Sequence, residues 1–293
     1  MIRGLLLLIA GYAFALPASA NFSATATVFN NPNFCPSSLP GGFNLTVPVE
    51  AAAGCNTGAG IGSAQAEAGY GHVGVEASVV VPAGAFPNLN NNAFAQLSTQ
   101  IVFSGPGNAV TVNGMNIGVS GSAGVRGGNG SGAGFSFDVS LNGVDWGING
   151  LAIGGNGQFN CIPLGNFLCP TLGTTTSFNT SIAGTYTTQP VVVPLNTPVP
   201  LMISLAANAG SSDPNASVGV DFAHSIDFPV GVPLFNLPEG YTANAPDMFI
   251  LDNRFLPPVP VPEPSTVLLS FIGLLFVARS AYCSRRRMLV ASS

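Results

Sequence analysis

A period of two in the apolar residues constrains this chain more than any other feature. Phe135, Phe137, Val139 and Leu141 alternate with Ser136, Asp138, Ser140 and Asn142, and Val218, Val220, Phe222, Ile226 and Phe228 repeat the pattern further on. Successive side chains of a strand point to opposite faces, so each such run buries one face and wets the other. Asn113-Gly114, Asn129-Gly130, Asn142-Gly143, Asn149-Gly150 and Asn156-Gly157 punctuate the middle of the chain. Asn-Gly readily supplies the positive φ angles of two-residue hairpin turns, so this region reads as an antiparallel meander. No window outside the two termini carries an apolar period of 3.6. Short strands separated by Gly and Pro predict a mainly β fold, an antiparallel β-sandwich or jelly roll over about residues 22–256, rather than a parallel sheet. Disorder is the competing reading of a chain with 37 glycines, but 47% of its residues are hydrophobic, far more than disordered chains carry.

The segment 21–258 is long enough for one large β domain, and no firm boundary divides it. The small-residue-rich stretch from Thr57 to Gly74 and the Asn-rich stretch from Ala85 to Ala93, read as a loop, are where a break would fall. Pro194 to Leu205, Val218 to Phe228 and Tyr241 to Phe255 read as the closing strands. The seven basic residues are all arginine, and only Arg126 and Arg254 lie in this segment, against most of the 12 acids. Such a surface offers no cations to displace phosphate counterions, which excludes nucleic acid and anionic lipid as natural partners. Neutral polymers and divalent cations remain.

Cys35, Cys55, Cys161 and Cys169 form an even set in the same segment and are expected to be disulfide-bonded in an oxidising compartment. Nearest-neighbour pairing, Cys35 with Cys55 and Cys161 with Cys169, closes two short loops; the other connectivities stay open. The spacing does not fit paired zinc knuckles.

Catalytic chemistry finds little footing. Gly69-Tyr70-Gly71-His72-Val73-Gly74 has dinucleotide-binding spacing, but a β-branched strand follows it where a helix is needed. His224 stands near Asp221 and Asp227, yet strand alternation sends it to the face of Phe222 and Ile226 and the aspartates to the other. Glu50, Glu67, Glu76 and Glu239 are scattered in sequence, so a glycosidase pair would have to be assembled by the fold. Trp146 is a core residue or a sugar-stacking platform. Ser211-Ser212-Asp213-Pro214-Asn215 is an oxygen-rich turn in which Asp213 and Asn215 make a weak calcium site or a plain Asx turn. Otherwise the sequence implies no cofactor and no metal. Four Asn-x-Ser/Thr triplets, at Asn44, Asn129, Asn179 and Asn215, are what an Asn-rich composition produces freely.

The termini carry an address. Residues 1–20 have one charge, Arg3, an apolar run from Leu5 to Ala15 and a small-residue cleavage site, Ala18-Ser19-Ala20, as a secretory signal helix does. At the other end, 259–265 is a proline-rich spacer containing Pro262-Glu263-Pro264, 266–283 is an apolar candidate for a single transmembrane helix, and 284–293 carries the basic stop Arg285-Arg286-Arg287. The prolines favour an extended spacer that a protease can reach. The arginines place the C-terminus in the cytoplasm and everything before Pro262 outside.

This tail, over about 261–287, resembles the PEP-CTERM sorting signal, the bacterial tag handled by membrane proteases called exosortases in exopolysaccharide-producing Gram-negative cells. Leu237 to Thr242 and Ile250 to Phe255 are similar, more weakly, to the final strands of exported PEP-CTERM ectodomains. The resemblance implies export through the inner membrane, transient anchoring, an exosortase-type partner and a mature form at the cell surface or outside, in contact with exopolysaccharide. The function expected is that of a non-enzymatic surface or matrix protein. A carbohydrate- or calcium-binding module and a hydrolase with an unrecognised carboxylate pair are the alternatives.

Overall fold

The computed structural model describes residues 19–31, 45–57, 60–85, 88–154, 159–160, 163–164 and 177–258. All of these but Pro258 belong to one unit, Met1–Pro257. In chain order the strands are β1 (Asn21–Asn31), β2 (Val49–Thr57), β3 (Gly60–Gly69), β4 (His72–Val80), β5 (Asn88–Ser104), β6 (Ala109–Val112), β7 (Asn116–Arg126), β8 (Ser131–Leu141) and β9 (Val144–Gly154). They continue as β10 (Phe159–Asn160), β11 (Pro163–Leu164), β12 (Ser177–Thr187), β13 (Val191–Pro194), β14 (Pro198–Ser211), β15 (Ser217–Asp227), β16 (Thr242–Asn244), β17 (Ile250–Leu251) and β18 (Arg254–Phe255). A 3₁₀ turn at Pro246–Met248 is the one helical element among the described residues. No helix there is long and apolar enough to cross a membrane. The expected signal helix and transmembrane segment lie outside the described residues.

Two antiparallel sheets dominate. One runs β1-β5-β14-β8-β9-β10, with β11 on β9 and β16 on β5; the other runs β12-β7-β15-β4-β3-β2. They face each other across one apolar cluster to which both contribute, including Leu97, Ile101, Phe103, Leu201, Ile203 and Phe137 from the first and Val73, Val75, Val119 and Phe222 from the second. The alternation read in the sequence is the physical basis of this layering. Along β8 the odd residues from Ser131 to Leu141 are buried and the even ones are not. Each large apolar side chain taken out of water this way contributes about 1.5–3 kcal/mol.

Alanine sets the local spacing of the layers. Ala24 and Ala26 of β1 look across at Ala51 and Ala53 of β2 and Ala64, Ala66 and Ala68 of β3, all buried. Backbones of β1 approach those of β2 and β3 to within 8 Å, Cα to Cα, closer than the roughly 10 Å usual between stacked sheets. The small-residue-rich stretch that offered a possible domain break is therefore the tight β3–β4 hairpin of the core. The Asn-rich stretch read as a loop is likewise the start of β5, the longest strand. Its asparagines alternate as apolar residues would. Asn91 is fully buried and donates its amide across the core to the carbonyls of Ser63 and Ser78, while Asn208 on β14 donates to Asn90 and Asn92 on the other face.

The meander needs correction. Asn142-Gly143 is a true two-residue hairpin turn between β8 and β9, with φ 54° and 75°. Asn129-Gly130, by contrast, carries the chain from β7 in one sheet to β8 in the other. Asn149-Gly150 lies inside β9, where the register slips by one residue between Phe135↔Leu151 and Phe137↔Ile148. Asn-Gly supplies a sharp backbone excursion; whether it closes a hairpin, crosses layers or makes a bulge depends on what pairs on either side. Asn156-Gly157 lies outside the described residues.

Candidate functional sites

The expected sorting residues, Pro262, Glu263, Pro264, Arg285, Arg286 and Arg287, lie outside the described residues, as do Cys35, Cys161 and Cys169. Cys55 is buried on β2 and disulfide-bonded, with its partner outside the described set. The described residues do fix how the chain leaves the domain. β17 and β18 form a small hairpin through Asp252 and Asn253, both at positive φ, 48° and 63°. Asn253 is held there because its side chain imitates a strand: Oδ1 accepts from the Phe235 N–H at 2.8 Å and Nδ2 donates to the Phe235 carbonyl at 2.7 Å. The ring of Phe255 then seats over Gly71, where a Cβ would come within 2.5 Å of it, and meets Phe228 edge-on. After this plug the chain continues through Leu256 and Pro257.

The most polar constellation is on the outer face of the second sheet. His72, at the start of β4, donates from Nδ1 to Asp227 Oδ1 at 2.8 Å, and its Nε2 lies 3.8 Å from Glu67. Burial pulls its pKa down, but the bond to Asp227 and the charges of Asp227 and Glu67 outweigh that, and the net shift is upward. Register puts Glu50 opposite Glu67 and Glu76 opposite Asp221. Carboxylates scattered in the sequence are thus assembled side by side on one sheet face, where like charges directly opposite cost stability. Gly69 to Gly74 opens no helix and holds no dinucleotide site, yet it delivers the histidine of this cluster at the start of β4. The signal that finds it is strand pairing, not spacing.

A register shift in β15 makes room for the cluster. Against β4, four positions from Phe222 to Ile226 span the two from Val75 to Val73. Two extra residues leave parity intact, so Phe222 and Ile226 both stay in the core. The side chain of His224 lies outside the described set. The looped backbone presses on Gly74, where a Cβ would sit 2.0 Å from the Ala223 carbonyl oxygen. A small half-open hollow at this point is lined by Gln65, Glu67, Gly74, Val75, Glu76 and Ala223.

Other candidates resolve into structure. Asp213 accepts from Ser131 Oγ at 2.9 Å, and its own N–H donates to Ser211 Oγ at 3.0 Å. With Asn215 at φ 56° this ties the β14–β15 turn to the β7–β8 turn. The turn is closed by the Ser211 hydroxyl accepting from the N–H two residues on, a serine-type turn rather than the Asx turn expected as the alternative to calcium. It also occupies the Ser131 hydroxyl of the Asn129 triplet. Among the described residues no three His, Cys, Asp or Glu side chains stand as a metal-binding group. Trp146 is 4% exposed and belongs to the core. Asp138, on the outer face of the first sheet, is pushed up to about 6 by burial and by the charge of Asp145, against a backbone bond from Val139.

Residues 260–287 match the family model of the PEP-CTERM protein-sorting motif. No curated protein matches the chain.

Proposed function

We propose that this PEP-CTERM-tagged chain is a non-enzymatic surface or matrix protein that works in contact with exopolysaccharide. The observation that carries the reading is the sorting motif at 260–287, which implies export, transient membrane anchoring and handling by an exosortase-type membrane protease. The domain before it supports the non-enzymatic part. Its carboxylates pair across adjacent strands on one sheet face, Glu50 with Glu67 and Glu76 with Asp221, whereas a glycosidase places its two carboxyl groups about 5–10 Å apart on either side of a bound sugar. Its polarity comes from Asn, Ser, Thr and Gly, suited to a hydrated neutral polymer.

The address and the anchor separate in one experiment. Replacing Pro262, Glu263 and Pro264 with alanine leaves the apolar span and Arg285-Arg286-Arg287 in place, so topology is kept. The expected outcome in the native host is an uncleaved, membrane-retained protein. Unchanged size and location would show that the triplet carries no address.

A further inference from the structure

We propose that the end of the β domain from which the tail departs is a lipid-docking surface, resting flat on the membrane while the precursor is anchored. This rests on the anchoring stage of the proposed function and adds a partner for the folded domain itself.

Register places one set of strand ends together. The β3–β4 turn at Tyr70-Gly71, the start of β1, the end of β15 at Asp227 and the start of β14 share this end. So do the two limits of the described domain, Ala20 and Pro257. Exposed large apolar side chains collect here as well. Val230, Val232, Leu251 and Leu256 are 62%, 47%, 45% and 45% exposed, and Leu45 and Val47 follow at 38% and 56%. Backbone pairing makes the first four neighbours: Val230 bridges to Phe255, Pro233 bridges to Arg254, and Leu251 faces Arg254 across the hairpin. Leu45 bridges to Phe22, whose buried ring meets Tyr70 and through it Phe249, which places Leu45 at this same end. Among the described residues, the exposed large apolar side chains at the opposite end are the cross-strand pair Ile61 and Val80.

Contiguous exposed apolar surface marks a contact site, and chain length names the occupant. From Pro258 to the apolar segment at 266 the spacer reaches at most about 30 Å when fully stretched. Whatever else the domain meets, this end is tethered within that distance of the bilayer. A tether that short holds a weak surface at about millimolar effective concentration, so modest apolar area suffices. Rigid presentation is built in: the Arg254 guanidinium donates to the Gly231 carbonyl at 3.0 Å, locking the two apolar segments together. The chain's net charge of −5 directs the contact to zwitterionic rather than anionic lipid.

The test uses the full-length precursor in phosphatidylcholine vesicles containing a photoreactive phosphatidylcholine, with labelled peptides mapped by mass spectrometry. Label is expected in peptides covering 229–234 and 250–256. In the variant Val230→Ser, Val232→Ser, Leu251→Ser, Leu256→Ser that label should fall at least fivefold, with label in 266–283 unchanged. The substituted side chains are exposed, so the fold is retained. Absence of label in 229–234 and 250–256, equal label in the variant, or protein–protein cross-links between copies there in place of lipid would each overturn the proposal. Label in 266–283 reports separately on anchoring, so failure of that reading is told apart from failure of docking.

Discussion

At the scale of single residues, three titratable groups make this acidic protein lose stability as pH rises: Asp138, His72, and Asp247, which burial pushes up against the bond from Thr99. Asp138 holds its proton up to about 6 in the folded state, above the ordinary aspartate range of the unfolded chain. Folding therefore binds a proton between about pH 4 and 6, and the benefit is complete below that window and lost across it. The His72 shift is also upward. Its contribution is present below the usual histidine value of about 6.5 and disappears as pH passes the folded value. Asp138→Asn keeps an acceptor for the Val139 N–H and removes the charge. Denaturant titrations should show its curve flattened between pH 4 and 6, with a gain of about 1 kcal/mol at pH 7, the full shift being discounted for partial exposure. His72→Gln should leave that window alone and flatten the fall above pH 6.5. An unchanged wild-type slope in both variants would refute the assignment.

Elements in this fold are shaped by where glycine is required, and β15 gives a paired test. Gly74 faces the backbone of the widened segment, and a Cβ there lands 2.0 Å from the Ala223 oxygen, whereas a Cβ at Gly219 of β15 meets nothing within 4 Å. Gly74→Ala must displace backbone and should cost about 2–4 kcal/mol. Gly219→Ala relieves the unfolded chain of glycine's freedom and should be neutral or stabilising by about 0.5–1 kcal/mol. Thermal unfolding of the two variants checks the contrast; equal effects would mean that the close approach is not what holds the register shift. The same geometry delivers His72 to Asp227, so Gly74→Ala should also weaken the pH response above 6.5.

For the whole molecule, the two-layer body and its address pose separate questions. The body exposes few cations, buries one core between two sheets and carries a disulfide at Cys55 on the edge strand β2. We expect the cysteines of the exported segment, Cys35, Cys55, Cys161 and Cys169, to be paired in protein purified from the periplasm or medium. By loop closure each short loop would add about 2–3 kcal/mol. Mass spectrometry under non-reducing conditions should find no free thiol among them; four free thiols would overturn the expectation and place the chain in a reducing compartment.

Whatever depends on local order along the chain is legible in the residues themselves. Alternating residues such as Phe135 to Leu141 dictate a strand with one buried face wherever it lies, and Pro262-Glu263-Pro264 followed by an apolar run and arginines is an address because it is read as a linear string. Local order also carries the Asn142-Gly143 hairpin, whose two residues lie between runs that pair with each other. Tertiary structure alone decided what depends on partners distant in sequence. Asn129-Gly130 crosses between sheets because β8 pairs with β14, and the Asn-rich start of β5 is a strand because carbonyls of the facing sheet accept from Asn91. Glu50 meets Glu67, Glu76 meets Asp221 and His72 meets Asp227 only through the register of β2, β3, β4 and β15. Register is set by which faces are buried together, a property of the assembled core that no single segment contains.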